Sequence, residues 1–294
     1  MLVFANSLWI QEGTAIRRDF QDLIERPHGT AVHVTDFANA PGAACEAINA
    51  WVEEKTNRTL RAVVVPGAFD ATTRLLLLNA VYFNGTWVSP FSPTSTRNKT
   101  FFLEAGGEVD VPLMHQKQDV LHMHAEGWYQ AVELNYRGGD LSMLLLLPDR
   151  KDRLADLERA LSTPMLNDCV ARMQKREIEL YVPRFTMAPE AVDLREQLAA
   201  LGMPDAFDNS RADFSGIDGR RLPEPLFMSS VLQKAFLEVD EKGTRAAAAT
   251  HLQLRLGLRR VFRADRPFLF AIRDRRSGTI LFLGRLADPR SATR

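Results

Sequence analysis

The chain has 294 residues, 46 % of them hydrophobic and 25 % charged, enough for one large domain with a substantial core. Lys+Arg and Asp+Glu both total 37, so no net charge draws the protein onto nucleic acid or an acidic membrane, and neither partner is expected. No run approaches the ~18 apolar residues of a membrane helix, and two cysteines, Cys45 and Cys169, are too few for a disulfide framework and read as independent thiols.

In chain order, "MLVFANSLWIQEG" has neither a basic leader nor a cleavage site and reads as a strand over 2–11. "TAIRRDFQDLIER" (14–26) predicts a helix with Ile16, Phe20, Leu23 and Ile24 on one face. A strand over 31–37 and a helix over 42–57 follow. "RLLLLNAVYFNGTW" (74–87) is a near-continuous apolar run, as in a strand buried on both faces. Residues 97–148 predict antiparallel strands "TRNKTFFL", "VDVPLMHQKQ", "VLHMHAEGWYQAVELNY" and "LSMLLLLP", broken by glycine turns at 105–107 and 138–139. Helices are expected at 151–162, 164–173 and 189–202, and strands at 176–185 and in "SSVLQKAFLEVDEKG" (229–243). "RPFLFAIRD" and "GTILFLGRLADP" close the chain as a hairpin around Arg276-Ser277-Gly278. The pattern is that of a single α+β domain with large, mainly antiparallel sheets.

Signatures of catalysis are scarce. No G-x-S-x-G, Walker loop, H-E-x-x-H or C-x-x-C occurs. His122 and His124 share a strand face but have no third ligand at suitable spacing, which favours a surface pair over a metal site. Ser215 in "ADFSGIDG" has no identifiable base, although triads converge in space rather than in sequence. The sequons at Asn57, Asn84 and Asn98 read as chance matches. No enzyme, metal or cofactor is expected.

One stretch stands apart, "VDEKGTRAAAATHLQLRLGLRRVF" (239–262). Thr244, Ala246, Ala248, Thr250, Leu252, Leu254, Leu256 and Leu258 alternate with Arg245, Ala247, Ala249, His251, Gln253, Arg255, Gly257 and Arg259. That is the period of a half-buried strand with one small or apolar face. Extended, 244–258 would reach about 50 Å at roughly 3.3 Å per residue, far beyond an ordinary strand. An alanine-rich helix is the competing interpretation, against which the leucine spacing of two argues; a plain hairpin strand is the other, and its length is awkward.

"LLLLNAVYFNGTWVSPF" (75–91), "INAWVEEKTN" (48–57), "VELNYRGGDLSMLLLLPD" (132–149), "VPRFTM" (182–187), "LGMPDAFDNSRADFSGI" (201–217) and "ADRPFLFAIRDRRSGTILFLGRLADP" (264–289) together resemble the serpins, in serpin order and over essentially the whole chain. The resemblance implies a serpin-like α+β fold, as a single domain over 1–294. Serpins carry several helices and a strand of the second sheet ahead of the strand that opens this chain. An N-terminally truncated domain is therefore expected, with 266–274 and 279–286 lacking a central neighbour.

"EKGTRAAAAT" resembles the hinge of an inhibitory serpin, made of Glu241, Gly243, Thr244, Ala246, Ala247, Ala248, Ala249 and Thr250. It would lead into a reactive-centre loop at about 243–261. In that family a serine protease cuts the exposed loop, which then enters the main sheet as a new strand, a use of strand addition for which serpins are a standard example. The implied function is suicide inhibition of serine-type endopeptidases. A non-inhibitory or inactive truncated serpin, acting as a protease substrate or binding protein, is the alternative. Family spacing places the cut after Gly257. Arg255 or Arg259 would suit a trypsin-like enzyme, the favoured reading, and Leu256 or Leu258 a chymotrypsin- or subtilisin-like one. Trp87, Arg184 and Glu241 resemble residues at the point where insertion begins, and Asn79 the asparagine that gates the sheet, with Gln233 replacing its usual histidine partner. A monomer in an extracellular setting is what the resemblance suggests.

Overall fold

The computed structural model describes residues 2–28, 30–220, 226–242 and 260–290. From the N-terminus the elements are β1 (Leu2–Gln11), α1 (Arg18–His28), β2 (Ala31–Thr35), α2 (Pro41–Lys55), β3 (Leu75–Phe83), β4 (Arg97–Phe102), β5 (Glu108–Ala125), β6 (Tyr129–Asn135) and β7 (Leu141–Pro148). They continue as α3 (Leu154–Ala160), α4 (Thr163–Arg172), β8 (Gln174–Pro183), β9 (Phe185–Met187), β10 (Val192–Asp193), α5 (Arg195–Ala200) and α6 (Ser215–Asp218). The last four are β11 (Ser230–Val239), β12 (Val261–Arg263), β13 (Phe268–Asp274) and β14 (Ile280–Leu286). Contacts group the chain into two compact units, Met1–Phe83 with Met187–Leu237 and Asn84–Thr186 with Glu238–Arg294.

In the first unit the strand order is β10-β11-β3-β1-β2. Beneath one face lies α2, whose buried Ala44, Cys45, Ile48 and Val52 meet Ala5, Trp9, Leu76, Leu78 and Ala80. On the other face Leu8, Ile10, Leu75 and Val231 pack against Ile217, Leu226 and Met228. The helix start is favoured by Pro41 in the first turn, where a missing N–H costs nothing. Both faces of β3 are covered, which is why it reads as an unbroken apolar run.

The second unit holds the order β12-β8-β5-β6-β7-β13-β14, with β4 on β5. Leu144, Leu146, Leu269 and Ala271 face α3 and α4 through Leu154, Leu157 and Cys169. Gly284 in β14 is required because a side-chain carbon there would fall 2.5 Å from the Phe270 ring.

Several expectations are corrected. The first helix begins at Arg18, not residue 14, and Ile16 packs from the preceding coil. Residues 108–125 form one strand, β5, rather than parts of two, because it serves successive partners: β4 from Glu108 to Leu113, β8 from Leu113 to His122 and β6 from Leu121 to Ala125. The turn between β5 and β6 falls at 126–128. The helix over 189–202 shrinks to α5, since Val192 and Asp193 are drawn into pairing with Gln233 and Leu232 of β11. Tertiary pairing overrides local propensity there. Strand β13 does have neighbours on both sides, β7 and β14; among the described residues β14 is the edge strand, and its Ile280 and Leu283 are 40 % and 53 % exposed.

Candidate functional site

In the first unit, β3 and β11 pair directly and in parallel, from Ser230 opposite Leu76 to Leu237 opposite Phe83. Parallel neighbours are slightly less stable per residue than antiparallel ones. A chain that left β11 and doubled back beside it would run antiparallel to β11, and so to β3 as well. The sequence that leaves β11 is "EKGTRAAAAT".

A row of amides crosses this seam at one register position. Asn6, Asn79 and Gln233 stand opposite one another in β1, β3 and β11. The Gln233 side-chain N–H donates to Asn79 Oδ1 at 3.1 Å, and the Asn79 side-chain N–H donates to Asn6 Oδ1 at 2.6 Å. Net, each such bond contributes about 1 kcal/mol, so the row is a weak, specific tie across strands otherwise joined by backbone and leucine contacts. Asn6 escaped the sequence analysis, although a lone amide in "LVFANSLWI" is the signal that marks it. One residue on, the buried Lys234 reaches the opposite face and donates to the carbonyls of Arg61 and Ala62 at 2.8 and 3.2 Å. Ala62 sits at φ +49°, and the ammonium satisfies the carbonyls of this turn.

In the second unit, Glu241 is 4 % exposed and its carboxylate receives hydrogen bonds from Arg184 at 2.5 Å and from the Thr96 hydroxyl at 2.7 Å, both on Oε1. Its backbone carbonyl accepts from Phe91 N–H at 2.9 Å. Burial works against the charge, but the bonds from Arg184 and Thr96 outweigh it and hold the carboxyl below the ordinary glutamate value of 4.5. The Trp87 indole N–H donates to the Asp240 carbonyl at 2.9 Å, and its ring stacks on Tyr136 at 4.4 Å between centroids. The structure thus brings Trp87, Arg184 and Glu241 together, and separately Asn79 with Gln233. Thr96, Phe91 and Tyr136 were not foreseen. Their roles follow from partners far along the chain, which no local pattern encodes.

Gly243, Thr244, Ala246, Ala247, Ala248, Ala249 and Thr250 lie outside the described residues. So do the scissile-bond candidates Arg255, Leu256, Gly257, Leu258 and Arg259. Cys45 and Cys169 are buried and unbridged, as expected. His124 lies 3.0 Å from both carboxylate oxygens of Asp149. Ser215 opens α6, with its backbone N–H on Asp213 Oδ1 at 3.1 Å. No helix among the described residues is long and apolar enough to cross a membrane.

An α+β chain with two large mixed sheets and a parallel seam at the centre of one defines a class of fold with known members. The family model "Serpin (serine protease inhibitor)" matches residues 1–289. Neuroserpin of Homo sapiens is 35 % identical over 300 residues, which cover 98 % of this chain and 72 % of that protein. Among solved structures, uncleaved ovalbumin aligns with a TM-score of 0.88 at 30 % identity, over 98 % of this chain and 74 % of that one. Native protease nexin-1, in a structure with heparin, aligns at 0.89 and 33 %, over 98 % and 77 %. The chain belongs to the serpin family.

Proposed function

We propose that this serpin inhibits a serine endopeptidase as a suicide substrate, with both units acting as one domain. The serine hydroxyl of the protease attacks the carbonyl of the scissile bond; the new amine departs on the C-terminal side, and the acyl-enzyme remains on the hinge side. Residues from Gly243 onward then enter between β3 and β11, carrying the protease away before water releases it. The observation that carries the reading is the parallel β3–β11 seam, with a small-sided, period-two segment leaving the end of β11. One antiparallel strand placed in that seam would replace a single parallel pairing by two antiparallel ones.

Composition supports the same reading. The face that must enter presents Thr244, Ala246, Ala248 and Thr250 first. Bulky or charged groups there would cost several kcal/mol each, from overpacking or desolvation. Gly243 supplies backbone freedom at the turn. Arg255 or Arg259 as the residue before the cut would fit a trypsin-like target, whose specificity pocket carries a buried carboxylate.

Incubation with trypsin-, chymotrypsin- and subtilisin-like proteases tests this directly. An SDS-stable complex of serpin plus protease is expected with at least one of them. Cleavage without a complex would instead make the chain a substrate or binding protein, the role in which a non-inhibitory serpin would serve. Thr244→Arg is expected to turn the inhibitor into a substrate by placing a charge on the entering face. Inhibition that survived this change would rule out insertion.

A further inference from the structure

In the second unit, β5 and β6 separate partway along. Their ladder ends at Leu121 opposite Glu133, after which β5 keeps β8 and β6 keeps β7 as far as Asn135. Residues 87–91 cross the wedge between them: Val88 N–H donates to the Asn135 carbonyl at 2.9 Å, and the Gln116 side chain donates to the Ser89 carbonyl at 3.0 Å. A cavity of about 290 Å³ remains. Buried Trp87, Phe91, Val120 and Leu134 form its apolar wall, and Asp119, Glu133, Lys175 and Arg275 bring its charges.

Glu133 is the unusual member, at 3 % exposed. Its Oε1 faces every donor: the Ser142 hydroxyl at 2.6 Å, Arg273 at 3.3 Å and Arg275 Nε at 4.0 Å. Its Oε2 has no partner among the described residues and is not sealed from solvent, so it opens onto the cavity. A buried carboxylate oxygen without a donor costs free energy that a ligand can recover. Arg275 gives Nη1 to the Gly139 carbonyl at 3.2 Å, and the exposed Lys175 lies 4.0 Å from Asp119. Each keeps further N–H donors for a ligand.

We propose that this cavity binds a free α-amino acid with an apolar side chain, between leucine and phenylalanine in size. A bare cation drawn to Glu133 would meet Arg273 and Arg275, and a bare anion drawn to Arg275 would meet Glu133 and Asp119. A molecule with both charges on one carbon avoids both conflicts. Its ammonium donates to Glu133 Oε2, its carboxylate accepts from Arg275 and Lys175, and its side chain lies against Trp87, Phe91 and Leu134. Size agrees: a cavity of about 150 Å³ holds benzene, so 290 Å³ holds about twelve heavy atoms, as many as phenylalanine has. Trp87 and Phe91 also bind the Asp240 and Glu241 carbonyls, so an occupant would touch the start of the proposed hinge. Binding itself does not depend on insertion at the β3–β11 seam and stands or falls separately from the inhibitory reading.

Calorimetric titration of the full chain with L-leucine and L-phenylalanine is expected to show saturable binding of at least one, with Kd on the order of 0.1–1 mM for a ligand this small. The N-acetyl and the carboxamide derivatives lose the ammonium and the carboxylate in turn, and each should bind about tenfold more weakly or worse. The double change Lys175→Gln, Arg275→Gln, at exposed positions, should weaken the parent amino acid by about tenfold or more. Glu133→Gln breaks a buried ion pair and tests folding as much as binding, so the derivatives on unaltered protein carry the test. In that protein the Trp87 indole N–H signal shifts in NMR spectra as the site fills. Absence of saturable binding, equal binding of either derivative, an unmoved Trp87 signal, or unchanged binding in the double variant would overturn the proposal.

Discussion

Two leucine-rich strands, one in each unit, look alike in sequence and are built to opposite ends. Strand β7, "LSMLLLLP", lies between β6 and β13, antiparallel to both, and its Met143 to Leu147 are all buried. Its polar contact is Ser142, whose hydroxyl donates to the buried Glu133 at 2.6 Å near the strand's start. Strand β3, "LLLLNAVYF", is as apolar at its ends, but it has one antiparallel and one parallel neighbour and an amide at its middle. The first arrangement has no weak direction. The second is held on one side by a parallel ladder and a row of amide bonds, each a small contribution. Apolar content alone does not distinguish the two strands; direction of pairing and placement of one polar residue do.

The largest expected effect separates the closed β3 seam from the proposed inserted one. Protein nicked in the loop should melt above intact protein. If eight residues pair on both sides, matching the eight-position β3–β11 register, added backbone bonds at about 1 kcal/mol each imply a rise on the order of 10 °C or more. An unchanged melting curve would mean the seam does not open. Next comes Leu146→Ala in β7, a fully buried side chain. It should cost about 2–5 kcal/mol, equally in intact and nicked protein, because the second sheet is not asked to rearrange. A cost confined to one form, measured by denaturant unfolding, would blur the contrast between the strands.

Glu241→Gln should destabilise the intact form by about 1–2 kcal/mol, less than a fully buried pair would, because Arg184 is half exposed. The sign with pH follows from the depressed carboxyl. The folded protein holds Glu241 ionised below 4.5, so this contribution is fully present above that value and is lost as pH falls through the lower folded one. Acid unfolding curves of native protein and variant should therefore stay apart at the ordinary glutamate value of 4.5 and converge only below it. Curves that stayed parallel would place the stabilisation elsewhere. Smallest is Gln233→Leu, which removes one amide bond, to Asn79, at about 1 kcal/mol in intact protein. In nicked protein the Gln233 bond is already displaced, so the cost should shrink there; an equal cost in both forms would deny the row its part in closing the seam.

Much of this was legible in the chain itself. The alternation at 244–258, the apolar runs and the motifs around Trp87, Arg184 and Gln233 follow from side-chain chemistry at fixed spacing. What was not legible depends on register between distant strands. Asn6 meets Asn79 across 73 residues and Thr96 meets Glu241 across 145. Likewise, nothing local says that 108–125 is one strand, since its straightness comes from three different partners, or that Val192 and Asp193 leave a helical pattern to pair with β11.

Because β3 and β11 point the same way, the slot between them is directional, like a keyway. A peptide can occupy it with hydrogen bonds on both flanks in the antiparallel sense, or lie parallel to both with slanted ones. Under the proposed mechanism, residues from Gly243 onward would enter in the favoured sense, because they follow β11 in the chain. A free peptide, or the same stretch offered by another molecule, would first have to find that orientation, and tethering would give the chain's own segment the advantage over such a rival.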